Sequence, residues 1–157
     1  MSPTRTSEQT TADTRTWIAR ISLWIGALAV LATGLVHLQE YSSDGYSAIP
    51  TIGTLFLLNF IGATIVGLGL LFPVKLITRF AGMIRTLLAL AGIGIAASSL
   101  VALWISEQSS LFGFGERGYG PTIVQAIVAE GVAVLSLSVY LGLTWIRRAS
   151  PGALAAS

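Results

Sequence analysis

Four long apolar runs separated by short polar connections set the plan of this chain. The first, WIARISLWIGALAVLATGLVHL, covers Trp17 to Leu38, with Arg20 as its only full charge. The second, TIGTLFLLNFIGATIVGLGLLF, covers Thr51 to Phe72 and is bracketed by Pro50 and Pro73. The third extends from about Met83 to Ser106 and the fourth from Pro121 to about Ile146. A helix crossing a hydrocarbon core of about 30 Å needs about 20 mostly apolar residues, and every run meets that length. Short connections make consecutive helices antiparallel neighbours. The expected fold is therefore all-α, a membrane-embedded up-down-up-down four-helix bundle.

The flanks read differently. Residues 1–15, MSPTRTSEQTTADTR, are polar, rich in Ser and Thr, and without apolar periodicity, which predicts a disordered cytoplasmic tail. The membrane domain then occupies 16–148, with spans at about 17–38, 51–72, 83–106 and 121–146, and 149–157 form a second flexible tail. A secretory signal peptide competes for the first run. The run is longer than the 7–15 residues of a signal-peptide core and no A-x-A site follows it, so a retained helix is expected.

Composition sharpens the class. Hydrophobic residues make up 54% of the chain and charged residues only 10%, whereas soluble domains carry about 25% charged residues. The absence of cysteine excludes disulfides, thiolate metal sites and iron–sulfur clusters. A pI of about 9.4 could suggest nucleic-acid binding, but the basic residues stand at span ends, where they orient helices in a bilayer. Arg5, Arg15, Arg20, Lys75, Arg79, Arg85, Arg147 and Arg148 fall on one side of the expected bundle, and only Arg117 falls opposite. The expectation is a multi-pass protein of the plasma (inner) membrane with both termini cytoplasmic. Trp17 and Trp145 agree with an inner anchor position and Trp104 with an outer one.

Small residues predict how the helices meet. Gly62, Gly67 and Gly69 in the second span, and Gly92, Gly94 and Ala96 in the third, allow backbones to approach closely.

The candidate chemistry is a polar layer at one depth. Glu130 sits nine residues inside the fourth span, roughly 13 Å deep at about 1.5 Å per residue. An ionised carboxylate there costs about 2.5–3.5 kcal/mol even on insertion scales, so it must be protonated, paired or facing a wet cavity. Asn59, Ser98, Ser99 and Thr33 lie at similar depths in the other spans. His37, the only histidine, stands one turn above Thr33 on the same face, and Glu40 and Tyr41 continue that stripe. The candidate ligand- or proton-binding residues are thus Glu130, Asn59, His37, Ser99 and Thr33. Each also has a structural alternative. Glu130 can be a protonated clip hydrogen-bonded to Asn59 or Ser99, His37 an interfacial histidine, Asn59 interhelical glue, and Ser98 and Ser99 can bond back to their own helix.

Other chemistries are disfavoured. One histidine cannot supply two axial haem ligands, and a metal site joining His37 and Glu130 is weakened by about one turn of depth between them. No nucleophile elbow, P-loop, GxGxxG or HExxH motif occurs, so no catalytic site and no cofactor are expected.

The pattern GLVHLQEY, then IPTIGTLFLLN, then a fourth span with an internal glutamate resembles small four-helix integral membrane proteins of actinobacteria, and the size is loosely similar to the DoxX-like proteins. The resemblance covers nearly the whole chain and implies the fold and orientation, with no activity attached. Small multidrug transporters keep their essential glutamate in the first helix, whereas Glu130 lies in the fourth. Two functional readings follow. The first is a non-enzymatic accessory or assembly subunit, docking by its Gly-rich helices to a membrane-protein partner or to copies of itself. The second is a small carrier or sensor binding a proton or small ligand around Glu130. A membrane redox enzyme ranks behind both for want of cofactor ligands.

Overall fold

The computed structural model describes residues 4–43, 45–73, 79–109 and 120–149. They form helices α1 (Thr4–Ser43), α2 (Ile52–Leu71), α3 (Ala81–Gln108) and α4 (Pro121–Ala149), with a 3-10 turn at Tyr46–Ala48 between α1 and α2. The apolar spans within them are Asp13–Ser43, Ile52–Leu71, Ala81–Gln108 and Pro121–Ile146, each long and apolar enough to cross a bilayer. α1 packs against both α2 and α4, α3 packs against the same two, and α1 and α3 meet only slightly. The chain is an integral membrane protein built as an all-α four-helix bundle.

The distribution of polarity supports that class. Leu55, Leu58, Leu68, Leu87, Leu90 and Leu135 point outward, while Ser22, Thr33, His37, Glu40, Ser106 and Glu130 are buried. A water-soluble bundle would reverse this arrangement; hydrocarbon around the molecule makes it favourable.

α1 is longer than the apolar run within it. It begins at Thr4, so residues 4–15, expected to be disordered, are helical here. No Gly or Pro interrupts that stretch, and the Thr14 hydroxyl donates to the Thr10 carbonyl along it. At its other end the helix continues through Gln39–Ser43, residues expected in the first loop. The segments 74–78, 110–119 and 150–157, with their expected loops and tail, lie outside the described residues.

The core is made of small residues and a few large ones. Ala27, Ala63, Ala89, Ala96 and Ala133 are fully buried, and Leu137 fills the space among them. Gly26 and Gly92 make that possible: a Cβ on Gly26 would lie 2.6 Å from Leu137 Cδ2, and one on Gly92 would lie 2.8 Å from Leu137 Cδ1. Gly94, expected at a helix contact, instead faces open space. Its neighbours Gly92 and Ala96 take the inward face, and in a helix a residue two positions away points elsewhere.

The entry to α2 positions the polar end of the bundle. Thr51 adopts φ 69° and ψ −56°, and the Ile52 N–H donates to the Pro50 carbonyl at 2.8 Å, a γ-turn that starts the helix abruptly. Two residues after Thr51, a Cβ on Gly53 would meet the Tyr46 carbonyl oxygen at 2.7 Å. Glycine there lets the 3-10 turn lie directly on α2, with the Tyr46 ring 5.0 Å from that of Phe56.

Candidate functional site

A cavity of about 80 Å³ lies at the end of the bundle that carries the 3-10 turn. Its polar wall is His37 and Glu40 from α1, Ser99 and Ser106 from α3, Glu130 from α4 and Tyr46 from the turn. Ile52, Phe56, Ala102, Leu103, Ile123 and Ala126 complete it with apolar surface. Three titratable side chains are removed from the bundle exterior, with Glu130 1%, His37 4% and Glu40 5% exposed. Burying such groups is costly unless they satisfy one another, so their contacts decide what the site can do.

His37 is held at both ring nitrogens. Nδ1 lies 3.0 Å from the Thr33 carbonyl, which can only accept, so Nδ1 carries a hydrogen. Nε2 lies 3.0 Å from Ser99 Oγ and 3.8 Å from Glu130 Oε1. Phe56 packs edge-on to the imidazole at 5.0 Å, which fixes the plane of the ring. Ser99 and Glu40 are also the side chains that stand near enough to Glu130 to act on its carboxyl group. Glu130 Oε1 itself is buried without a hydrogen-bond partner.

His37 and Glu130, expected about one turn apart in depth, are brought together. In a helix the side chains lean toward the N-terminus. α1 and α4 run antiparallel, so His37 leans toward the middle of the bundle and Glu130 leans toward the 3-10 turn. The two inclinations close the gap.

The other candidates separate. Thr33 supplies its carbonyl to His37, but its hydroxyl is buried without a partner. Asn59 does not line the cavity, and its Oδ1 is likewise buried and unpaired, so the expected Asn59–Glu130 bond is not formed. On α2 the cavity-facing place goes to Phe56, one turn nearer the 3-10 turn than Asn59 on the same helical face. Ser98 bonds back to the Ile95 carbonyl at 3.0 Å, whereas Ser99 faces His37. Among the described residues, no three His, Cys, Asp or Glu side chains are grouped to hold a metal ion.

Several residues of the wall were not among the candidates, among them Glu40, Tyr46, Phe56 and Ser106. Glu40 had a signal, its position three residues after His37 on one helical face, and only the expected end of the helix at Leu38 obscured it. Tyr46, Phe56 and Ser106 had none, since their place depends on how the turn and α3 seat against α1.

Compared with protein-family models, curated proteins and solved structures, the chain matches none. The chemistry must therefore be taken from the site itself. The Ser99 hydroxyl has one hydrogen and stands between two groups that can each accept it. If Ser99 donates to Nε2, the imidazole is neutral and Glu130 must be protonated to donate to Ser99. If Ser99 donates to Glu130, the carboxylate is ionised and Nε2 must carry a hydrogen, making the imidazolium. The two arrangements hold the same number of protons; in the first both groups are neutral, and in the second both are charged as an ion pair.

Proposed function

We propose that this integral membrane protein is a small carrier or sensor for a proton or a small protonatable solute, with His37, Ser99, Glu130 and Glu40 as its binding site. The observation that carries the reading is the convergence of His37, Ser99 and Glu130 on a polar cavity inside the membrane domain. A structural clip would satisfy its own polar atoms and close on itself. Here Glu130 keeps one buried oxygen without a hydrogen bond, beside a cavity of about 80 Å³. At about 30 Å³ per water molecule, that volume suits a proton with its waters or a solute of a few heavy atoms.

Charge arithmetic explains why such a site responds to protons. Two carboxyl groups and one imidazole are neutral together when they hold two dissociable protons among them, and lose neutrality when one leaves. In a low-dielectric surrounding that change of charge is felt by every neighbouring group. The Ser99 hydroxyl provides the route by which a proton passes from Glu130 to His37, Ser99 taking one proton as it gives another. By the placement of basic residues, we take the cavity end as the outer face and both termini as cytoplasmic, in a plasma (inner) membrane.

The accessory-subunit reading has one observation of its own. A groove of about 490 Å³ between α1 and α4, lined by Ala29, Ala32, Val36, Val124 and Val128, presents small residues to the lipid side, where another membrane helix could seat. One experiment separates the two. Glu130→Gln is nearly isosteric and cannot ionise. Infrared difference spectra across a pH titration of the reconstituted protein should contain a buried carboxylic-acid band in the wild type. That band should vanish in Glu130→Gln, while helical content and yield stay unchanged. Identical spectra from wild type and variant would remove the proton site and leave the docking role.

A further inference from the structure

The opposite end of the bundle carries a second, larger recess, about 630 Å³, between residues 16–24 of α1, the end of α2, the start of α3 and the end of α4. Two arginines line it, Arg20 from α1 and Arg85 from α3, together with the hydroxyl-bearing Thr16, Tyr140 and Thr144. The rest of its wall includes Leu23, Trp24, Leu70 and Leu71. Among the described residues, no Asp or Glu lines the recess. Arg85 Nε is buried and has no hydrogen-bond partner. Leaving a buried donor of a charged group unpaired costs more than a neutral one, so the site as built calls for an acceptor.

From this geometry we propose that the recess binds an anionic phospholipid of the adjoining leaflet, with its phosphate on Arg20 and Arg85 and its acyl chains against Leu23, Trp24 and Leu70. Arginine suits the role because its planar fork of donors is always charged and matches phosphate oxygens. The recess is several times the volume of a cavity of about 150 Å³ that accommodates benzene, so it has room for a headgroup and the chain segments beneath it. Leu23 and Trp24 stand about one turn further into the membrane domain than Arg20 on α1, so charged and apolar wall follow one another along that helix as headgroup and hydrocarbon do in a lipid. Basic pockets between transmembrane helices commonly hold anionic headgroups in this way. The site is separate from the His37–Glu130 cavity and does not depend on its function.

Native mass spectrometry of the intact protein, released from nanodiscs of equal phosphatidylglycerol and phosphatidylcholine, reads the retained lipids directly. The wild type should keep phosphatidylglycerol in preference. The preference should fall roughly five-fold in Arg20→Gln and roughly 25-fold when Arg85→Gln is added. Arg20 is exposed, so its substitution tests the site without disturbing the core. A ratio of two lipids within one sample also separates lost selectivity from lost folding. Equal retention of both lipids by the wild type, or an unchanged ratio in Arg20→Gln and in the double variant, would overturn the proposal. Millimolar inorganic phosphate should leave the bound lipid in place. Displacement by phosphate would assign the arginines to a free anion and overturn the lipid assignment.

Discussion

The Ser99 hydroxyl has Nε2 of His37 at 3.0 Å and the Glu130 carboxyl group close by. Its chain neighbour Ser98 has an equally ordinary hydroxyl, which bonds only to the Ile95 carbonyl of its own helix. The pair makes an internal control. Ser99→Ala removes a partner from two buried polar groups at once, and should cost about 1–3 kcal/mol. Ser98→Ala should stay within about 0.5 kcal/mol, as a substitution at an exposed side chain that bonds back to its own helix. Thermal unfolding in one detergent compares them, and equal losses would take Ser99 out of the network. Thr33 and Asn59 teach the opposite lesson at this scale. Neither lines the cavity, so an intramembrane polar residue at the right depth is not thereby part of a site.

Among the helices, the sites of close approach are set by glycine and by what stands opposite. Gly26 of α1 and Gly92 of α3 both accommodate Leu137 of α4, and the Cβ of any other residue at Gly26 would also come within 3.3 Å of the Leu137 backbone nitrogen. Backbone cannot rotate away as a side-chain terminus can. Gly26→Ala should therefore destabilise the bundle by about 1–3 kcal/mol, the usual range for overpacking. Gly94→Ala meets nothing within 4 Å, and should be neutral or stabilise by up to about 1 kcal/mol through helix propensity. A larger loss at Gly94 than at Gly26 in a detergent melting series would show the packing to be arranged otherwise. Gly53 acts at the same scale for function. It admits the 3-10 turn to the surface of α2 and thereby brings Tyr46 to the cavity wall.

Over the whole molecule, the two ends of the bundle differ in kind. One end encloses the acidic and imidazole groups, the other an arginine-lined recess. That polarity agrees with the orientation proposed from the basic residues, and the absence of native cysteine makes it easy to test. Ser47, exposed in the 3-10 turn, and Thr14, exposed near the start of α1, lie at opposite ends. In intact cells a membrane-impermeant maleimide should label Ser47→Cys and spare Thr14→Cys until the membrane is opened. Labelling in the reverse order would invert the orientation and place the proton site on the inner side.

By itself the sequence determined the number of helices, the class and the approximate ends of α2, α3 and α4. Those properties follow from composition summed over windows as long as a bilayer is thick, and no distant residue alters the sum. Glu130 was legible for a related reason, since a carboxyl group far inside an apolar run is conspicuous wherever the run packs. His37 and Ser99 were legible as polar residues at a similar level, but not as partners of Glu130. Their convergence depends on the rotation of each helix about its axis and on the opposite inclination of side chains in antiparallel neighbours. Tertiary packing decided these, and with them the exclusion of Asn59, the recruitment of Glu40 and Tyr46, and the recess around Arg85. A helix turns 100° per residue, so a shift of one position that leaves depth nearly unchanged carries a side chain from cavity to lipid.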